Sequence, residues 1–118
     1  QYKGLVVGTG NKVEDYGVGF YTKYGDGGVD IAPIADLYKS EVWELGAYLG
    51  VDSRIIEASP TDGLWEDGRT DEDQLGASYV DLEEAMEKGT GPAVDVLEKY
   101  NKANRHKMEP IPTFKLGV

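Results

Sequence analysis

One uninterrupted apolar run, Leu5-Val6-Val7, closes on Gly8-Thr9-Gly10 near the start of the chain. Apolar residues without polar alternation predict a strand covered on both faces, as in a parallel sheet. Such a strand needs neighbours on either side. The rest of the sequence offers helical patterns and no second strand as clear. The expectation is therefore an α/β arrangement, the second half of a parallel-sheet domain whose other strands lie elsewhere. A first residue that is not methionine agrees with that expectation.

The helical patterns are readable one by one. Asn11, with Glu14 three residues on, predicts a short capped helical turn. Residues 17–30 form a glycine-rich loop containing FYTKYGDGGVD, with three glycines in the four positions 25–28. Glycine is favoured where a chain needs positive φ or close approach by another group. ADLYKSEVWELGAYLG predicts a helix with Asp36 as cap, an apolar repeat of Tyr38, Val42, Leu45 and Leu49, and Gly50 as its end. A polar loop follows, with a helical turn expected near its end at Asp71. Ser78 caps a further helix with Leu82, Ala85 and Met86 as its stripe and Gly89 as its stop. Pro92 stands where a first helical residue would be, ahead of Val94 and Leu97. Pro110 and Pro112 mark an extended tail. There is no internal repeat and no low-complexity segment.

Charge and composition remove some function classes. The net charge is −10, and a nucleic-acid binder usually carries a basic face. Residues 57–88 hold eleven acidic side chains against Arg69 and Lys88, whereas residues 99–115 hold five basic ones against Glu109 alone. That tail is either a solvated surface or a segment that meets an anionic ligand. No apolar run reaches the length of a membrane span, and no signal peptide is expected. Cysteine is absent, which rules out disulfides and thiolate zinc and is compatible with a cytoplasmic protein.

Common phosphate and metal motifs fail. G-x-x-x-x-G-K-[ST] is absent, and the third glycine of a G-x-G-x-x-G starting at Gly8 would fall on Val13. A calcium loop starting at Asp71 would place Leu75 and Leu82 where oxygen ligands belong. His106 is the single histidine, so no histidine metal site is possible. The strand end is more informative, because open parallel sheets bind ligands beyond the C-terminal ends of their strands. Thr9, Asn11 and Glu14 cluster there. Glu14 reads equally as a capping residue or as one of the one or two carboxylates that Mg²⁺ takes beside phosphates. Lys39 is a solvated lysine, or it shares an anion with the helix N-terminus, where a lone cation is mildly unfavourable. Thr61 reads first as part of a Pro-Thr-Asp-Gly turn. Trp43 and Trp65 read as core or interface residues, and the acidic run 71–73 as solvated.

Taken together, GTGNKVEDYGVGFYTKYGDGGVDIAPIADLYKSEVWELGAYLG, SPTDGLWEDGRTDEDQLGASY and NRHKMEP resemble the ammonia-dependent NAD synthetases along nearly the whole chain. The resemblance implies a Rossmann-like parallel-sheet domain of the adenine nucleotide alpha hydrolase type, with residues 1–118 as its C-terminal portion. It implies that the nicotinate carboxylate of deamido-NAD attacks the α-phosphate of ATP, that pyrophosphate leaves, and that ammonia then displaces AMP to give NAD. By the same resemblance Thr9, Lys39 and Thr61 meet ATP, with Lys39 the catalytic lysine on its phosphates. Glu14 holds Mg²⁺. Lys23, Asp30, His106 and Lys107 meet deamido-NAD, and Gly25, Gly27 and Gly28 allow the bend between Lys23 and Asp30. Family members are cytoplasmic homodimers.

One departure is large. The family's Ser-Gly-Gly-x-Asp-Ser pyrophosphate loop, whose Asp joins the metal site, has no counterpart in these residues. The N-terminal strands and phosphate loop are therefore expected to be missing, and the chain alone is expected to be inactive. The alternatives are a non-catalytic nucleotide-binding or assembly fragment, and part of a glutamine-dependent NAD synthetase.

Overall fold

The computed structural model describes residues 2–117. Five α-helices follow a short π-helical segment, Val13–Val18: α1 Lys39–Tyr48, α2 Ser53–Ile56, α3 Asp71–Leu75, α4 Tyr79–Lys88 and α5 Val94–Met108. Ahead of them, residues 6–8 run parallel to residues 30–31. Gly8 N–H donates to the Ile31 carbonyl at 2.7 Å, and Asp30 N–H donates to the Val6 carbonyl at 2.9 Å. This is an isolated parallel bridge between Val7 and Ile31 rather than a sheet. Leu5, Val6 and Val7 are 69%, 56% and 53% exposed, so the strand expected to be covered on both faces is open within the described residues. An apolar run is buried only where other layers reach it.

The core lies where the π-helical segment meets α3, α4 and the start of α5. Val13, Val18, Leu75, Tyr79, Leu82 and Ala93 form it, with Phe20, Trp43, Met86, Leu97 and Tyr100 packed around. In α4, Tyr79, Leu82 and Ala85 recur every three residues, so one face is buried. Complete burial of a side chain such as Leu82 contributes roughly 1.5–3 kcal/mol. Ser78 caps α4 by accepting Asp81 N–H at 3.1 Å, and left-handed Gly89 stops it, both as the spacing implied.

Two helix starts differ from expectation. The first helix begins at Lys39 rather than after Asp36. Its entry is held by Glu41, which accepts Tyr38 N–H at 2.8 Å, while exposed Asp36 pairs with Lys12 at 3.3 Å. The last helix begins at Val94, leaving Pro92 in the preceding turn. The apolar repeat of α1 is largely uncovered: Leu45 is 39% and Leu49 67% exposed. Trp43 carries its packing, meeting the Tyr79 ring edge-on with centroids 6.5 Å apart. Trp65 is half exposed, with the Arg69 guanidinium 4.1 Å above its ring.

Candidate functional site

The segment after the bridge builds the first part of the site. Asn11, 2% exposed, accepts the N–H groups of Val13 and Glu14 at 3.0 and 3.2 Å, and Glu14 Oε2 accepts Asn11 N–H at 3.3 Å. The reciprocal cap is therefore formed, and it leaves Glu14 Oε1 free for other partners. That oxygen accepts the Tyr79 hydroxyl at 2.9 Å and lies 3.7 Å from Lys39 Nζ. Both side chains of the ion pair are about four-fifths shielded from solvent, so screening is reduced.

The start of α1 supplies the second part. Lys39 is its first residue, where the helix end is electropositive. The anions that offset this charge come from the chain itself. Glu83 on α4 accepts Ser40 N–H at 2.9 Å and the Ser40 hydroxyl at 2.6 Å, and Glu14 faces Lys39. Lys39 also lies 5.4 Å from the centroid of the Tyr79 ring.

Tyr79 joins a third element. Its hydroxyl lies 3.1 Å from Asp71 Oδ2 as well as 2.9 Å from Glu14. Asp71 was expected to be solvated and is instead 7% exposed, because its N–H bonds the Pro60 carbonyl and draws the start of α3 inward. Its Oδ1 is buried without a hydrogen-bond partner. Burial pushes the Asp71 carboxyl above the usual range, and burial with two carboxylates nearby pushes the Tyr79 phenol up. Mg²⁺ beside phosphates asks for hard oxygen donors and few carboxylates. Glu14 and the unpartnered oxygen of Asp71 fit that donor type. Among the described residues no group of three or more His, Asp or Glu side chains is arranged to hold a metal ion.

Two cavities flank the Glu14–Lys39 pair. One, of about 440 Å³, is lined by Lys39, Val42, Trp43, Ile56 and Thr61. The other, of about 500 Å³, is lined by Glu14, Tyr21, Thr61, Asp71, Asn104 and Lys107. Thr61 borders both. Its hydroxyl donates to the Arg69 carbonyl at 3.2 Å and accepts Gly63 N–H at 3.1 Å, which fits the turn reading of its sequence.

The remaining expected residues are placed less centrally. Lys107 Nζ donates to the carbonyls of Gly19 and Tyr21 at 2.9 and 2.8 Å. Lys23 Nζ donates to the His106 carbonyl at 2.8 Å, which brings those two residues together. Asp30 accepts Val6 N–H at 2.8 Å and so holds the bridge. Thr9 is exposed at the end of the bridged segment. None of Gly25, Gly27 and Gly28 has positive φ. Gly27 and Gly28 instead allow close approach: a Cβ on Gly27 would lie 2.6 Å from the Tyr21 ring, and one on Gly28 would lie 3.0 Å from the Tyr24 carbonyl.

Sequence reasoning passed over Tyr79, Asp71 and Asn104. Tyr79 stands three residues before Leu82 and so continues the buried stripe of α4, a signal available in the spacing. Asp71 gave no such signal, since its burial depends on the preceding loop.

The family model for NAD synthase matches residues 1–113. The chain belongs to the NAD synthase family. Within that family it is 59% identical over 88 residues to an NH(3)-dependent NAD(+) synthetase of Archaeoglobus fulgidus, covering 72% of this chain and 35% of that protein. It is 46% identical over 105 residues to the enzyme of the same name from Carboxydothermus hydrogenoformans, covering 87% and 42%. Among solved structures, an NMN synthetase from Francisella tularensis superposes with a TM-score of 0.88 at 36% identity, over 95% of this chain and 47% of that one. An NH3-dependent NAD synthetase from Campylobacter jejuni superposes with a TM-score of 0.64 at 29% identity, over 94% and 45%. The fold is thus that of the NAD and NMN synthetases. The chain spans less than half the length of the curated relatives it matches.

Proposed function

We propose that these residues form the C-terminal portion of a single synthetase domain that converts deamido-NAD to NAD, using ATP and ammonia and releasing AMP and pyrophosphate. The observation that carries this reading is the Glu14–Lys39 pair, which stands between two cavities that share Thr61. The largely apolar cavity holding Lys39 and Thr61 takes the nucleotide. The other, lined by Glu14, Tyr21, Asp71 and Lys107, takes the deamido dinucleotide. The Val7–Ile31 bridge is the remnant in this chain of a Rossmann-like parallel sheet, and Thr9 meets ATP from its end. The whole enzyme is a cytoplasmic homodimer. Among the described residues, no helix is long and apolar enough to cross a membrane.

A carboxylate is a poor acyl donor until one of its oxygens belongs to a good leaving group, and transfer of AMP from ATP provides that. The protein's part is positioning and offsetting of charge. Lys39, fixed at the start of α1, faces the phosphates and stabilises the charge that develops as pyrophosphate leaves. Glu14, held by Asn11 and Tyr79, would hold Mg²⁺, which when bound neutralises phosphate oxygens. Lys23, Asp30, His106 and Lys107 orient the dinucleotide. Ammonia then attacks the acyl carbon and AMP departs.

The test is product analysis with the intact protein. NAD, AMP and pyrophosphate should form in equal amounts from deamido-NAD, ATP and ammonia, and the 118-residue chain alone should form none. Turnover by the verified chain alone would contradict the assignment of the phosphate loop to residues outside it. The closer superposition on an NMN synthetase favours one second reading, amidation of the mononucleotide. A kcat/KM for deamido-NMN above that for deamido-NAD would decide for it.

A further inference from the structure

The contact between α5 and the π-helical segment is made by side chains that serve a row of backbone carbonyls. Asn101 Nδ2 lies 3.1 Å from the Tyr16 carbonyl and 2.9 Å from that of Gly17. Asn104 Nδ2 donates to Val18 at 2.9 Å. Lys107 Nζ donates to Gly19 at 2.9 Å and Tyr21 at 2.8 Å. Residues 101, 104 and 107 follow one another along α5 at intervals of three, so they meet the carbonyls in chain order. The carbonyls at a helix C-terminus lack intrahelical partners, and this row supplies them. The loop answers in return, since Lys23 Nζ donates to the His106 carbonyl near the end of α5.

Glycines make this approach possible. A Cβ on Gly19, which has φ +68°, would stand 2.4 Å from Asn104 Cβ, and one on Gly17 would stand 2.7 Å from Met86 Sδ. Gly19 and Phe20 both send their N–H groups back to the Glu14 carbonyl. The row on α5 is thereby connected to the residue at the centre of the candidate site. It also fixes Tyr21, which lines the same cavity as Glu14.

We propose that Asn101, Asn104 and Lys107 act as one ladder of positioning residues, which sets the wall of the Glu14 cavity before any ligand arrives. The proposal rests on the functional reading above only in naming deamido-NAD as the ligand of that cavity. Lys107 then affects binding through the Gly19–Tyr21 turn as well as by any contact of its own. Asn101 separates the two effects, because it lines a different cavity, with Met86, Leu97 and Arg105.

The experiment compares Asn101→Ala and Lys107→Met with wild type in the intact protein. Amide hydrogen exchange at Gly19, Phe20 and Tyr21 is read without ligand, and KM for deamido-NAD, KM for ATP and kcat are read separately. Both variants should exchange about tenfold faster at those amides, the scale of one lost hydrogen bond. Both should raise KM for deamido-NAD several-fold more than KM for ATP. If Asn101→Ala does not fold, Asn101→Asp keeps the shape and removes the donor. Unchanged exchange in either variant overturns the ladder, and a KM effect confined to Lys107→Met makes that lysine a contact only. Faster exchange in a protein that forms no NAD would overturn the functional reading and leave the ladder standing.

Discussion

Tyr79 has one hydroxyl hydrogen and two carboxylates within its reach, Glu14 and Asp71. Removing that hydroxyl leaves both acids facing a hydrocarbon ring edge. Tyr79→Phe is expected to destabilise the intact protein by about 1–3 kcal/mol, the cost of leaving buried polar groups unsatisfied, as read from urea unfolding. Asp15 gives a pH dependence. Burial first, then the charges of Glu14 and Asp26, push its carboxyl from 3.8 up to about 6. The folded protein therefore holds this proton more tightly than the unfolded chain does. The contribution to stability is complete below the unfolded value and is lost as pH rises through the folded one. Urea unfolding with a chelator present should show Asp15→Asn flattening the fall in stability between about pH 4 and 6. An unaltered pH profile would remove Asp15 as its source. At this scale the sequence was legible where partners are near in the chain. The Asn11–Glu14 cap was visible in the spacing, but the meeting of Glu14 with Tyr79 and Lys39 spans 65 and 25 positions and depends on packing that no local pattern encodes.

At the scale of the elements, the caps of α4 and the apolar stripe that buries it were readable, because both follow from local hydrogen bonding and helical period. The starts of α1 and α5 were misplaced, since Asp36 pairs with Lys12 and Pro92 lies in the turn ahead of the Ala93 cap. The π-helical winding of residues 13–18 left no trace in the sequence pattern. Its C-terminal end is met by tertiary donors on α5, while its start is capped locally by Asn11. Gly19 and Gly89 have nearly the same φ, +68° and +67°, but only Gly19 has a neighbour within 4 Å of an added Cβ. Gly89→Ala should cost about 1 kcal/mol for its backbone alone. Gly19→Ala should cost clearly more, because α5 must also move. Equal losses in thermal or urea unfolding would show that α5 yields freely and does not clamp the segment.

At the scale of the whole molecule, the described chain is loose for its length. Its radius of gyration is 16.2 Å, against about 13.5 Å for a compact domain of this size. Val6, Val7 and Ile31, at the bridge, are about half exposed. Open strand edges of this kind favour association. Light scattering on the 118-residue chain alone should show mass rising with concentration, and a monodisperse monomer would mean that the edge is protected. The family was legible in the sequence because the segments that carry the likeness are collinear along nearly the whole chain. The apolar run was read as a strand needing neighbours beyond these residues, and among the described residues it is open.

Lys39 is the residue proposed to offset phosphate charge, and it pairs with Glu14 where the two cavities meet. The deciding measurement is steady-state NAD formation by the intact protein carrying Lys39→Met, beside a melting curve. The expected result is a fall in kcat of roughly 10²–10³-fold, the scale of a lost preorganised charge contact, with folding retained. A kcat within twofold of wild type would contradict the central placement of Lys39 and, with it, the reading of the Glu14–Lys39 pair as the heart of the site.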